Sequence, residues 1–200
     1  MLAMLRHGET AWSADKRVQG HTDVPLSVAG QAAMSSRQLP VGFDRLRTVT
    51  SPLQRCIQTV QLLGHPQAAV EPRLIEMSWG QWEGRRLGEL RSELGDVMTQ
   101  NEARGFDFRP AQGESPREVL ARVESWLAEV ARSAVPTLAV CHRGVIRVVF
   151  ARAMGWDMLG KPPARLDWNA LQVFRLDGAG RPSVDRLNVA LPARTDGACA

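Results

Sequence analysis

Three times along this chain a stretch of strand length ends in a polar turn and gives way to helical spacing. Leu2-Ala-Met-Leu5 leads into Arg6-His7-Gly8, Leu46 to Thr50 into Ser51-Pro52, and Pro136 to Cys141 into His142-Arg143-Gly144. The first and third are short apolar runs that read as buried strands, and Leu46 to Thr50 reads as another strand. The helical patterns behind them run from Ser27 to Leu39, with Pro40 as the stop, and from Gly144 to Met154. Between these, Ser51 as N-cap and Pro52 at the first helical position predict a helix reaching Gly64. Ala68 to Val70 adds a short strand, and Ser115-Pro-Arg-Glu118 is a capping box opening a long amphipathic helix. Leu171 to Leu176 and Ser183 to Val189 are late strands around a Gly-Ala-Gly turn. Strands alternating with helices predict a three-layer α/β/α sandwich on a mixed, mainly parallel sheet. We expect one domain over residues 1–191, interrupted by a lid insertion at about 77–113, with residues 192–200 as a loose tail. The insertion mixes tryptophan, glycine and charge around one helical stretch, Leu87 to Met98, and has no strand pattern of its own.

Composition narrows the partners. With 44% hydrophobic and 23% charged residues the chain has the balance of a soluble globular protein, and no run approaches the ~20 apolar residues of a membrane helix. The polar motif begins at Arg6, leaving no room for a signal peptide, so a cytoplasmic location is expected. Cys56, Cys141 and Cys199 are odd in number and form no C-x-x-C unit, which suits buried thiols. The net charge of +4 comes mainly from arginine, lysine occurring only at positions 16 and 161. The arginines form no basic run, so we expect neither nucleic acid nor membrane as partner but a small anionic molecule. Oligomeric state leaves no mark in the sequence.

In open α/β sheets ligands sit beyond the carboxyl ends of strands. The three polar turns all follow strands, so their side chains can converge at one edge. A phosphoryl group in transit spreads negative charge over its equatorial oxygens, and catalysis is then mainly positioning and electrostatics. Arg6 beside His7 supplies a cationic fork next to a nitrogen nucleophile, and Arg55 falls near the N-terminus of its helix, which favours anions. His142, between an apolar strand and an apolar helix, needs a partner to be buried. Glu76 has apolar neighbours Leu74, Ile75, Met77 and Trp79 that would raise its pKa and keep it available as a proton donor. Singly, each has an ordinary reading: a satisfied core histidine, a surface arginine, a carbonyl-bonded imidazole. Glu83 is the rival carboxylate, or a salt-bridge residue of the insertion.

In order along the chain stand Arg6-His-Gly-Glu-Thr10, Gln19-Gly20, Asp23-Val-Pro-Leu26, Ser51-Pro-Leu-Gln-Arg55-Cys-Ile-Gln-Thr59, Leu74 to Gly84, Gly113-Glu-Ser115 and His142 to Arg147. This ordered set resembles the histidine phosphatase superfamily, which includes cofactor-dependent phosphoglycerate mutases and alpha-ribazole phosphatases. The resemblance implies that His7 is the phosphorylated nucleophile, that Arg6, Arg55 and His142 hold the transferred phosphoryl, and that Glu76 donates the proton. It extends phosphate or substrate contact to Ser13, Gln19, Gly20, Arg143 and Gly144, and implies no cofactor and no metal. The family commonly has asparagine where Ser13 stands; the serine hydroxyl is shorter and offers one donor. Arg143 either meets a second anionic group or points to solvent.

The activity so implied is metal-independent hydrolysis of small-molecule phosphate monoesters, with alpha-ribazole 5′-phosphate or sugar phosphates as candidates. Phosphoglycerate mutase-type transfer and a catalytically silent phosphate-binding module are the alternatives. A metallohydrolase would need ligand pairs that His7, His21, His65 and His142 do not form, and a serine esterase a G-x-S-x-G turn that is missing.

Overall fold

The computed structural model describes residues 1–194. Its centre is a six-stranded sheet in the order β3-β2-β4-β1-β5-β6, formed by β1 (Leu2–Arg6), β2 (Arg47–Thr50), β3 (Ala69–Val70), β4 (Thr137–Cys141), β5 (Ala170–Leu176) and β6 (Pro182–Ala190). The pairs among β1 to β4 are parallel, whereas β5 runs antiparallel to both β1 and β6. The expected mixed, mainly parallel sheet is therefore present.

The apolar runs are unbroken because both faces of the central strands are covered. Leu2, Met4, Ala139 and Cys141 join one core with Val123, Leu127 and Phe150. These partners lie on α6 (Pro116–Ser133) and α7 (Arg143–Met154). Ala3, Leu5, Leu138 and Val140 face the other core, with Met34, Cys56 and Val60 from α2 (Val28–Ser35) and α3 (Gln54–Leu62). Successive residues of one strand thus feed opposite layers, as the two-residue period of a strand requires. The capping box of α6 is formed as read: the Ser115 side chain accepts from the Glu118 amide and the Glu118 carboxylate accepts from the Ser115 amide.

Register delivers the polar turns to one edge. Arg6 pairs with Cys141 and Thr50 with Val140, and the ladders continue one step further: the His7 amide donates to Cys141 O and the Ser51 amide to Val140 O, each at 3.0 Å. Residues 7, 51 and 142 therefore emerge side by side. Because β5 is reversed, its beginning lies at that same edge and brings the 155–169 connection there.

Several boundaries differ from expectation. The helix after Ser51-Pro52 begins only at Gln54, with Leu53 at the cap and no side-chain cap bond. A four-residue helix, α1 (Ala11–Ala14), follows the first turn. α2 ends at Ser35 rather than Leu39: the hydroxyls of Ser35 and Ser36 turn back onto the carbonyls of Gln31 and Ala33. The next residues pair with the C-terminal segment, the Gln38 amide donating to Pro192 O and the Arg194 amide to Ser36 O. Residues 192–194 are thus tied down, contrary to the expected loose tail, and the rest of that tail, with Cys199, lies outside the described residues. In the 77–113 stretch the single expected helix is two, α4 (Leu87–Leu94) and α5 (Asp96–Glu102). They break at Gly95, whose φ of 49° suits glycine. This stretch packs a small core of its own from Trp82, Leu90 and Met98.

Candidate active site

His7 is buried just beyond β1. Its Nδ1 lies 2.7 Å from Gly8 O. A carbonyl can only accept, so Nδ1 carries the proton and donates it there, which leaves Nε2 with its lone pair free. Burial, then the charges of Arg6 and Arg55, hold the pKa of His7 well below the ordinary histidine value. The ring is consequently neutral, tautomer-fixed and nucleophilic at one nitrogen. The Gly8 amide donates to Thr59 Oγ1 at 3.0 Å, anchoring the turn on α3.

Arg55 is completely buried. Its Nη1 and Nη2 donate to Thr22 O (3.0 Å) and Gly20 O (2.8 Å), and its Nε to His142 Nδ1 (3.3 Å). Among the described residues no carboxylate forms an ion pair with it. The 20–22 loop that holds it is in turn held by Glu83, whose carboxylate accepts from the amides of His21, Thr22 and Trp79 and from the Thr22 hydroxyl. Burial would raise the pKa of Glu83, but these bonds, those from Thr22 foremost, outweigh it and keep the group below the usual carboxylate range. Glu83 thus organises the loop, and the bonds it accepts favour its ionised form.

His142 faces His7 with ring centroids 5.2 Å apart. Its Nδ1 must accept, because the Arg55 Nε–H can only donate; Nε2 therefore bears the proton and donates it to Ser51 Oγ at 2.7 Å. Burial, then the charge of Arg55, lowers its pKa well below normal, so the ring is neutral. Its single donor is committed to Ser51. In this structure His142 orients Arg55 and has no proton to offer a phosphoryl oxygen.

Arg6, at the end of β1, is half-buried. Among the described residues its Nε and the Nε2 of Gln19 are the buried side-chain nitrogens without a hydrogen-bond partner. Burial, then Arg143, lowers the Arg6 pKa, yet a guanidinium remains a cation.

Glu76 is buried, and this burial raises its pKa despite bonds from the amides of Met77 and Gly144. Its Oε1 accepts from Met77 N at 2.8 Å and its Oε2 from Gly144 N at 3.1 Å. Its backbone is fixed too: the carbonyl accepts from Arg122 Nη2 (3.1 Å) and from the His21 ring (2.8 Å). Arg122, on α6, also binds the Arg73 carbonyl and pairs with Glu114. Sequence reading missed this clamp, since a mid-helix arginine looks like surface charge until its helix is placed. A Cβ at residue 144 would collide with Glu76 Oε1. Gly144→Ala should therefore displace the carboxyl while suiting the helix backbone. We expect kcat to fall about 10²-fold, the scale of a 1 Å misplacement, with the circular dichroism spectrum and Tm retained; unchanged turnover would show that this contact does not position Glu76.

The remaining expected contacts divide. The Ser13 hydroxyl accepts from the Thr10 amide (2.9 Å) and donates to the Thr10 carbonyl (3.0 Å), so its proton serves the α1 turn and not a phosphate. Gly20 acts through its carbonyl on Arg55. Arg143 is exposed at the start of α7, with its guanidinium 4.9 Å from the Trp168 ring centroid. Trp79 and Trp82 pack against Phe108, so their role here is packing within the 77–113 stretch. Among the described residues no group of three or more His, Cys, Asp or Glu is placed to hold a metal ion, and no helix is long and apolar enough to cross a membrane.

Comparison with known proteins gives the family and the fold. The family model of the histidine phosphatase superfamily (branch 1) matches residues 2–190. A probable phosphoglycerate mutase of Escherichia fergusonii is 34% identical over 131 residues, 62% of this chain and 60% of that protein. The chain thus spans about 60% of the length of such curated relatives. The alpha-ribazole phosphatase from Shigella flexneri has a TM-score of 0.74 at 26% identity, covering 97% of this chain and 99% of that one. A mycobacterial glucosyl-3-phosphoglycerate phosphatase shares the fold, with a TM-score of 0.76 at 24% identity over 94% of this chain and 98% of that one.

Proposed function

The chain belongs to the histidine phosphatase superfamily, and on that footing we propose that it hydrolyses small-molecule phosphate monoesters through a phosphohistidine at His7, without a metal. One observation carries the reading. Two guanidinium groups, Arg6 and Arg55, flank a neutral imidazole with a free Nε2, and among the described residues neither has a carboxylate partner. A buried charge without a counter-ion is costly, and a phosphate dianion supplies the missing charge. His7 Nε2 attacks phosphorus in line, the bond to the ester oxygen breaks, and Glu76 gives its proton to the leaving alkoxide. The resulting carboxylate takes a proton from water, whose oxygen then attacks the phosphohistidine, releasing phosphate and restoring His7. Arg6 and Arg55 balance the charge on the equatorial oxygens, Gln19 Nε2 offers a further donor, and His142 keeps Arg55 in register. The 77–113 insertion, joined to the 20–22 loop through Glu83, serves as a lid.

Rapid acid-free quenching during turnover of a ³²P-labelled ester tests this. The expected result is protein-bound label, stable to alkali and labile to acid, in the peptide holding His7, with turnover undiminished by EDTA. Turnover without such a label would refute the covalent route. The names of the curated relatives make phosphoglycerate mutase-type transfer the second reading. Incubation with 3-phosphoglycerate and a trace of its bisphosphate separates the two, hydrolysis giving inorganic phosphate and transfer giving 2-phosphoglycerate. Alpha-ribazole 5′-phosphate and sugar phosphates are the first esters to assay.

A further inference from the structure

Beside the site, at the edge where β1 ends and β5 begins, lies a cavity of about 1040 Å³ lined by Arg6, Arg143, Arg147, Lys161, Arg165 and Trp168, among others. It draws its walls mainly from α7 and the 155–169 connection. Five cations surround the space, and the one carboxylate in its wall, Asp167, accepts from the Asn169 amide. Among the described residues none of these five cations forms an ion pair. Arginines elsewhere do: Arg117 with Asp107, Arg122 with Glu114 and Arg152 with Glu124. Two of the five are instead stacked on indoles, Arg143 on Trp168 at 4.9 Å and Arg147 on Trp156 at 5.1 Å. Stacking holds a guanidinium plane in place while leaving its edge N–H groups free for an anion. Burial and then Arg143 lower the pKa of both Arg6 and Arg147, so the like charges feel one another across the gap.

Unpaired like charges gathered around a hollow repel, and an anion placed among them relieves that repulsion. His7 is not among the residues that line the cavity, and the volume matches that of a small-molecule site. Arg6 lines the cavity and also directs its charge at His7, so the cavity borders the phosphoryl site. We propose that this cavity receives a second anionic group of the substrate, a carboxylate or a second phosphate, on a body of sugar size. The inference rests on the reading that the transferred phosphoryl sits at His7. It assigns to Arg143, Arg147, Lys161 and Arg165 the choice of substrate, and leaves the chemistry to His7 and Glu76.

Three compounds of similar size test it: glucose 6-phosphate with one anionic group, 6-phosphogluconate with a distal carboxylate, and glucose 1,6-bisphosphate with a distal phosphate. The wild-type kcat/KM for at least one doubly anionic compound should exceed that for glucose 6-phosphate about tenfold or more, the scale of one charge-assisted contact. Which one leads identifies the second group. In the double variant Lys161→Gln, Arg165→Gln, both at exposed positions, the ratio should fall about tenfold, chiefly through KM. Calorimetric binding of the same compounds to His7→Ala protein should show the same order, again lost on adding the double substitution. Equal values for all three compounds, or an undiminished preference in the variant, would overturn the second-anion site. If phosphohistidine forms and p-nitrophenyl phosphate turns over while the three sugars rank equally, the phosphatase reading stands and only this inference fails. If the binding order holds but no phosphohistidine forms, the converse is true.

Discussion

His7→Ala should lower kcat by at least ~10³-fold toward every phosphate monoester, the scale seen when catalytic nucleophiles are removed. The structure makes the loss specific. Nδ1–H is tied to Gly8 O, so the ring can neither flip its tautomer nor act through the other nitrogen, and no neighbour can substitute. His142, with ring centroid 5.2 Å away, has Nδ1 facing Arg55 and Nε2–H facing Ser51. Burial pushes the Cys56 thiol well above the ordinary thiol range, far from thiolate formation at neutral pH. Steady-state rates and the acid-labile label should vanish together, with the thermal transition remaining cooperative. A variant that keeps its rate would move the nucleophile elsewhere.

Glu76→Gln should cost about 10²–10⁴-fold in kcat on alkyl phosphates, the usual range for general acid–base catalysis, and far less on p-nitrophenyl phosphate, whose leaving group needs no proton. Equal losses on both would assign Glu76 a binding role instead. The pH dependence has a definite sign. Burial raises the pKa of Glu76, so the protonated donor persists above the ordinary carboxylate range and is lost as pH rises through that raised value. Burial and two arginines depress the pKa of His7, so the nucleophile stays neutral down to acid pH. Activity on alkyl phosphates should therefore peak on the acid side. Its alkaline limb should disappear in Glu76→Gln, which has no proton to lose.

Much of this was legible in sequence because it is local. The capping box at Ser115, the doubly buried strands and the turn placing His7 after β1 follow from residues within a few positions of one another. The features that escaped are those in which a side chain answers to a distant partner. Ser51 reads as an N-cap, yet its hydroxyl accepts the His142 proton from 91 residues away. Ser13 reads as a shortened phosphate ligand, yet it closes a four-residue helix with Thr10. Arg122 and Glu83 sit where surface charges would, and only the placement of α6 and of the 20–22 loop shows them holding Glu76 and Arg55. The cations on α7 and in the 155–169 connection lie up to 22 residues apart in sequence, as Arg143 and Arg165 do, and become neighbours only across the cavity.

One strand laid against the direction of its neighbour β1 has a consequence for how such a molecule can diversify. Had β5 run with β1, the chain would enter it from the far side, and the edge bearing the imidazoles would receive no contribution from the 155–169 connection. With the strand reversed, two stretches of irregular backbone border the reactive groups, one arriving after β3 and the other ahead of β5. Each can lengthen, shorten or change its charge without disturbing β1, β2 and β4, beyond whose ends His7, Ser51 and His142 emerge. Selection can thus retune what is accepted by remodelling either border, while the phosphate-handling centre is inherited intact.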